Sequence, residues 1–172
     1  QITSHHLAHV KVHSALARNS NQVANKTTPN LAAQQGLRLQ HVKPHGALYN
    51  DAVNDPELAE LVAACVVATL PDAAFVGLPD SEMQKAASRH SLNFVAEGFI
   101  DRAYQENGQL VPRSEPGAVH KTLDLILPQA ISLVGKIDTW CIHGDTPGAV
   151  EAAAAVAVAE PPVGGHAVVE QA

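Results

Sequence analysis

The sequence predicts an α/β fold in which a parallel sheet is surrounded by helices, either as an open sheet or as part of a barrel. Three observations carry this expectation. Short apolar runs of strand length alternate with longer apolar stretches of helix length. Gly and Pro punctuate the end of each short run. Charged and imidazole side chains then gather just past those ends, at residues 43–45, 97–102 and 143–145, where the loops of a parallel sheet face a common crevice.

Residues 1–36 form a divergent polar segment rich in Asn, Gln, Thr and Ser, with no clear strand. His5, His9 and His13 recur every four residues, which on a helix would align three imidazoles able to chelate a transition metal. No Asp, Glu or Cys lies nearby to complete a site, so the same spacing also describes a solvated helix face. The main domain is placed at residues 37–158. Its first strand is read at Leu37, Leu39 and Val42, broken by Pro44 and Gly46, with Lys43 and His45 at the break. Asn54 or Asp55 caps a helix with Pro56 in its first turn. Residues 58–70 are apolar nearly all round, which predicts a largely buried helix that Pro71 stops.

Residues 73–78 read as a second buried strand, Asp80 or Ser81 caps a helix to about Arg89, and residues 92–96 form a third strand ending at Glu97-Gly98. The polar segment 98–119 is of a length that is either functional or disordered in compact domains, and its charges at Asp101-Arg102 and Arg113-Ser114-Glu115 favour function. Residues 123–134 are an apolar helix that Pro128 should kink or split. Residues 137–142 make a fourth strand, followed by His143-Gly144-Asp145-Thr146-Pro147-Gly148 and an Ala-rich helix at about 149–159. The tail, residues 159–172, is expected to fray.

At 172 residues the chain suits one domain with a sizeable core. Apolar residues at 46% exclude a disordered chain, and aromatics at 3% require a core of small aliphatic side chains. A net charge of −6 without basic runs argues against nucleic acid or an anionic membrane as partner, and leaves small molecules or proteins. Cys65 and Cys141 each lie in an apolar run and read as buried thiols outside any disulfide, which suits a reducing cytoplasm. No run approaches the roughly 18 to 20 apolar residues of a membrane span, and no signal peptide opens the chain, so a cytoplasmic location is expected. The first residue is Gln1 and not Met, which fits a fragment or processed chain.

Several groups are suited to chemistry. Lys43 and His45 would offer a fixed positive charge and a titratable donor to a phosphate or carboxylate, although a surface Lys and a loop-capping His would look the same. Glu97 and Asp101 offer a base or a metal-binding carboxylate, and Arg102 a bidentate anion binder. Asp101-Arg102 reads equally well as a local ion pair. His143 and Asp145 flank Gly144 at a strand end, with Thr146 placed to cap the next helix and Pro147 in its first turn, so that the helix amino end would favour an anion. No Walker A, His-Glu-x-x-His, Gly-x-Ser-x-Gly or Gly-x-Gly-x-x-Gly pattern occurs, which removes support for nucleophile-elbow hydrolases and dinucleotide enzymes.

Five stretches in order are recognisable: His41-Val42-Lys43-Pro44-His45-Gly46-Ala47-Leu48-Tyr49-Asn50, Glu97-Gly98-Phe99-Ile100-Asp101-Arg102-Ala103-Tyr104, Leu110-Val111-Pro112-Arg113-Ser114, Pro116-Gly117-Ala118-Val119 and Cys141-Ile142-His143-Gly144-Asp145-Thr146-Pro147-Gly148-Ala149. Together they resemble the LamB/YcsF lactam-utilisation family, which includes the A subunit of the ATP-dependent 5-oxoprolinase. The resemblance implies an irregular β/α barrel, here partial, of the glycoside hydrolase and polysaccharide deacetylase type. It also implies ring opening of 5-oxoproline or a related lactam to the amino acid, glutamate in the case of 5-oxoproline, with partner subunits B and C. ATP with Mg²⁺ would be the co-substrate, with no bound organic cofactor and no metal ligands assigned.

On that reading Lys43 and the helix amino end near Thr146 hold phosphate charge, and Arg102 binds the substrate carboxylate beside Tyr49 and Arg113. Glu97 or Asp101 orients water, and His45 or His143 moves protons, with Asp145 beside them. The family's amino-terminal motifs, an Asp-Leu-Asn-Cys-Asp-type strand and the Asn-Ile-Ala-Cys-Gly-Phe-His-Ala-Gly-Asp and Gly-Ala-His-Pro-Gly segments, are absent here. Gly135-Lys136-Ile137 stands where a longer segment would precede the last strand. Two competing readings follow: a truncated, inactive relative that serves as a binding module, and, by fold analogy alone, a metal-dependent deacetylase or glycoside-type hydrolase.

Overall fold

The computed structural model describes residues 38–159, positions 34 and 36, and the strands Lys11–Val12 and Val168–Glu170. The chain divides into two compact units, Gln1–Val95 and Ala96–Ala172. Within each unit the described strands run parallel, with helices between them, which is the expected α/β class. Among the described residues no helix is long and apolar enough to cross a membrane.

The first unit holds β1 (Lys11–Val12), β2 (His41–Pro44), α1 (Ala47–Asn54), α2 (Pro56–Thr69), β3 (Ala74–Gly77), α3 (Glu82–Arg89) and the opening residues of β4 (Phe94–Phe99). In β2, Val42 lies opposite Phe75 of β3, and Lys43 opposite Lys11 of β1. Strand β2 therefore begins and ends later than the apolar pattern predicts, and includes Lys43 and Pro44. The reason is pairing: Gln40 O already accepts from Ala74 N at 2.9 Å, and the register runs forward from His41. Phe75 meets the Phe94 ring edge-on, with centroids 6.2 Å apart.

Helix α1 was not foreseen in the sequence. Gly46, at φ 61°, turns the chain out of β2, after which Tyr49, Ala52 and Val53 recur at helical spacing and are buried. Asp55 caps α2 as expected, accepting from Glu57 N at 2.9 Å and Leu58 N at 3.1 Å, with Pro56 in the first turn. Removing this cap by Asp55→Ala is expected to cost about 1 kcal/mol, read as a lowered midpoint of thermal unfolding. The expectation that α2 is largely buried is corrected. Only the stripe of Ala59, Ala63 and Val66 is buried and Leu61 is 55% exposed, because burial needs a neighbouring element and α2 is packed on one side. Ser81 caps α3, accepting from Gln84 N at 3.3 Å while donating to Leu78 O at 2.6 Å.

The second unit holds the remainder of β4, a folded loop at 100–122, α4 (Leu123–Leu133), β5 (Thr139–His143), α5 (Ala149–Ala159) and β6 (Val168–Glu170). Glu97, Gly98 and Phe99 lie opposite Thr139, Trp140 and Cys141, and Cys141 to His143 lie opposite Val168 to Glu170. Both chemistry-bearing strands thus run further than predicted, so Glu97 and His143 are strand residues and not loop residues. Of the tail expected to fray, Val168–Glu170 is a strand and the rest lies outside the described residues. Cys141 is buried and Cys65 half-buried, and both remain thiols.

The core of this unit is Ile100, Ile126, Ala130, Ile137, Trp140, Ile142, Ala149, Ala152 and Val156. Helix α4 runs unbroken through Pro128, so the expected split does not occur. A mid-helix proline costs about 3 kcal/mol, and the core positions on either side of it, Ile126 and Ala130, offset that cost by burial. Gly98 lies where β4 meets this core: a Cβ there would stand 2.6 Å from Ile137 Cδ1 and 2.9 Å from Leu133 Cδ1. Gly98→Val is expected to destabilise the chain by about 1–3 kcal/mol through overpacking, seen as a lower urea midpoint at unchanged slope.

Candidate functional site

Past β4 the chain keeps the sheet ladder for one more residue, Ile100 N donating to Cys141 O at 3.0 Å, and then doubles back. The segment 98–119 is ordered by antiparallel bridges between Arg102 and Val119 and between Tyr104 and Leu110. The Tyr104 hydroxyl oxygen accepts from Phe99 N at 2.7 Å, and burial pushes its pKa far above the ordinary tyrosine range, so it stays neutral. Gln129 of α4 donates to Phe99 O and Arg102 O, each at 2.6 Å, and its Oε1 lies 3.0 Å from His120 Nε2. The sequence reading missed the roles of Gln129 and Tyr104. The one amide in a mostly apolar helix was the available signal for the first.

This turn delivers Asp101 to the end of β5. The carboxylate is fully buried at 0% exposure. Its Oδ2 accepts from His143 N at 2.8 Å and from Thr146 Oγ1 at 2.7 Å, and His143 Nδ1 lies 3.0 Å from Oδ1. Burial raises the carboxyl's pKa, but the His143 hydrogen bond and charge, its backbone N–H and the Thr146 hydroxyl together outweigh it and leave Asp101 below its usual range. An ionised carboxylate only accepts, so His143 Nδ1 carries a proton toward Asp101, and in the neutral imidazole the lone pair is then on Nε2. The imidazole stacks on Phe99, with ring centroids 5.7 Å apart and planes at 21°.

Thr146 is therefore not the helix cap that its spacing suggested. Its hydroxyl belongs to Asp101, and α5 starts only at Ala149. Arg102 is buried and donates from Nε to Ala118 O at 3.3 Å and from Nη2 to Val111 O at 2.7 Å, so the local ion pair with Asp101 is replaced by contacts to the loop backbone. Arg113 Nη2 donates to Asp145 Oδ2 at 2.6 Å, and the guanidinium holds that carboxyl below its usual range. Glu97 is buried at 1% exposure in β4, opposite Thr139.

Lys43, His45 and Tyr49 lie in the first unit. The buried Lys43 ammonium is 5.9 Å from the centre of the Tyr49 ring, within cation–π range. His45 is half-buried between β2 and Gly46. Among the described residues no group of three or more His, Cys, Asp or Glu is arranged to hold a metal ion, and His5, His9 and His13 lie outside the described residues.

Residues 20–161, which carry all of this geometry, match the LamB/YcsF family.

The chain belongs to the LamB/YcsF family.

Among curated LamB/YcsF relatives, the 5-oxoprolinase A subunit of Coprothermobacter proteolyticus is 43% identical over 139 residues, covering 73% of this chain and 53% of the relative. That of Erwinia tasmaniensis is 42% identical over 135 residues, covering 70% and 55%. The lactam utilization protein from Thermus thermophilus superposes with a TM-score of 0.71 at 29% identity, over 91% of this chain and 69% of that one. This chain spans about half the length of the curated relatives it matches. The LamB/YcsF match covers β2 to α5 and so includes the candidate residues from Lys43 to Thr146, but not His5, His9 and His13.

Proposed function

We propose that this LamB/YcsF chain takes part in the ATP-dependent ring opening of 5-oxoproline to glutamate, as one component of a cytoplasmic complex with subunits B and C. The observation that carries the reading is the Asp101–His143 pair at the end of the parallel strands, which leaves an imidazole lone pair directed away from a buried carboxylate. That is the arrangement of a general base with a fixed tautomer. The relatives are named as one lettered component of 5-oxoprolinase, which supports a multi-subunit enzyme.

A lactam carbonyl is a poor electrophile. Transfer of the γ-phosphoryl group from ATP to the amide oxygen, releasing ADP, makes the carbon attackable. Water then adds to it, giving its proton to His143 Nε2. The C–N bond breaks as the ring nitrogen takes a proton, leaving an acyl phosphate. A second water hydrolyses this to glutamate and phosphate. Glu97 is the second carboxylate assigned to orient water, and His45 the second proton carrier. Any Mg²⁺ arrives with ATP. Phosphate charge is assigned to Lys43, so Lys43→Ala should lower turnover by about 100-fold or more; wild-type turnover from the folded variant would remove that role.

The test is 5-oxoproline-dependent phosphate release from ATP by the purified chain with subunits B and C added. Release matched by glutamate is expected. A folded chain that gives none, where a full-length relative succeeds in the same assay, overturns the enzymatic reading and favours a binding module.

A further inference from the structure

The two arginines of the second unit are held in opposite ways. Arg102 is buried, and its guanidinium joins both arms of the folded loop through Ala118 O and Val111 O. Val111 is followed by Pro112, whose carbonyl accepts from Glu115 N at 2.9 Å to close a turn that carries Arg113. Arg102 thereby anchors the base of that turn. Arg113 itself is half-exposed at 46%, with Asp145 at 44%. An exposed pair of this kind contributes little, so another carboxylate can take the place of Asp145 at small cost. Asp145 also lies within electrostatic reach of His143, so a group bound in its place stays near the proposed base.

We propose that Arg113, and not Arg102, receives the carboxylate of a carboxyl-bearing lactam, which displaces Asp145, while Arg102 is a positioning residue for the turn that presents Arg113. The inference rests on the lactam reading above and deepens it by dividing labour between the arginines. A guanidinium released from Asp145 presents two parallel N–H donors that match a carboxylate. Arg102 has no such freedom, because Nε and Nη2 already hold the loop. Burial, together with the positive charge of Arg113, lowers its pKa, as expected where two guanidinium groups lie within electrostatic reach of one another.

The test is calorimetric titration of the complex of this chain with subunits B and C, using 5-oxoproline and its uncharged analogue 2-pyrrolidinone. Arg113→Ala should weaken 5-oxoproline binding by about 10- to 100-fold, the loss of a charged hydrogen bond, and leave 2-pyrrolidinone unchanged. Asp145→Asn should tighten 5-oxoproline binding by about two- to fivefold by removing the competing carboxylate. Arg102→Lys should reduce the preference for 5-oxoproline over 2-pyrrolidinone without changing the near-ultraviolet circular dichroism. Equal weakening of both ligands in Arg113→Ala, or of neither, overturns the inference and leaves the lactam reading standing. Binding of neither lactam by the wild-type complex overturns the lactam reading and the inference with it.

Discussion

Asp101→Asn is expected to lower turnover by about 10³- to 10⁴-fold, the effect of presenting the wrong imidazole tautomer, while leaving the chain folded. An Asn oxygen placed at the Oδ2 position keeps the bonds from His143 N and Thr146 Oγ1. Its NH₂ group then faces Nδ1, which must become the acceptor, and the proton moves to Nε2. Asp101→Ala is harsher. It leaves three donors, two from half-buried His143 and one from buried Thr146, without their acceptor, a loss of about 3–5 kcal/mol at 1–3 kcal/mol each, and is read as a large fall in the urea midpoint.

The same site sets an acid limit on stability. The folded-state pKa of Asp101 is depressed below its ordinary value of 3.8. Its contribution is therefore fully present above the unfolded value and is lost as pH falls through the folded one. The stability difference between wild type and Asp101→Asn should shrink as pH falls below about 4. A difference that instead grows on acidification would show that Asp101 is protonated in the fold.

His143→Gln is expected to reduce turnover by about 10²- to 10⁴-fold, the usual contribution of a general base, with a much smaller effect on stability. The side chain is 17% exposed and its backbone N–H to Asp101 survives the substitution. A Gln amide can still donate to Asp101, but it has no lone pair of comparable basicity to take a proton. Rapid-quench measurement of glutamate formed in the first turnover separates this step from product release. An undiminished first turnover would exclude His143 from the chemistry.

Much of this molecule was legible in its sequence, because many signals are local. Asp55 and Ser81 cap helices three residues ahead of them at most, and Gly and Pro end strands by their own backbone limits. The ordered motifs from β2 to α5 sufficed to identify the family, and the alternation of short and long apolar runs sufficed for the α/β class. Tertiary structure decided the rest, for one reason: the partners are distant in the chain. Asp101 meets His143 and Thr146 across 42 and 45 residues, and this contact took Thr146 from the helix, put a proton on His143 Nδ1 and set the carboxylate at the ring's edge. Arg102 and Arg113 look alike as sequence, yet one ties a loop together and the other waits at its edge, because only the folded loop brings carbonyls to the first and a second carboxylate to the second.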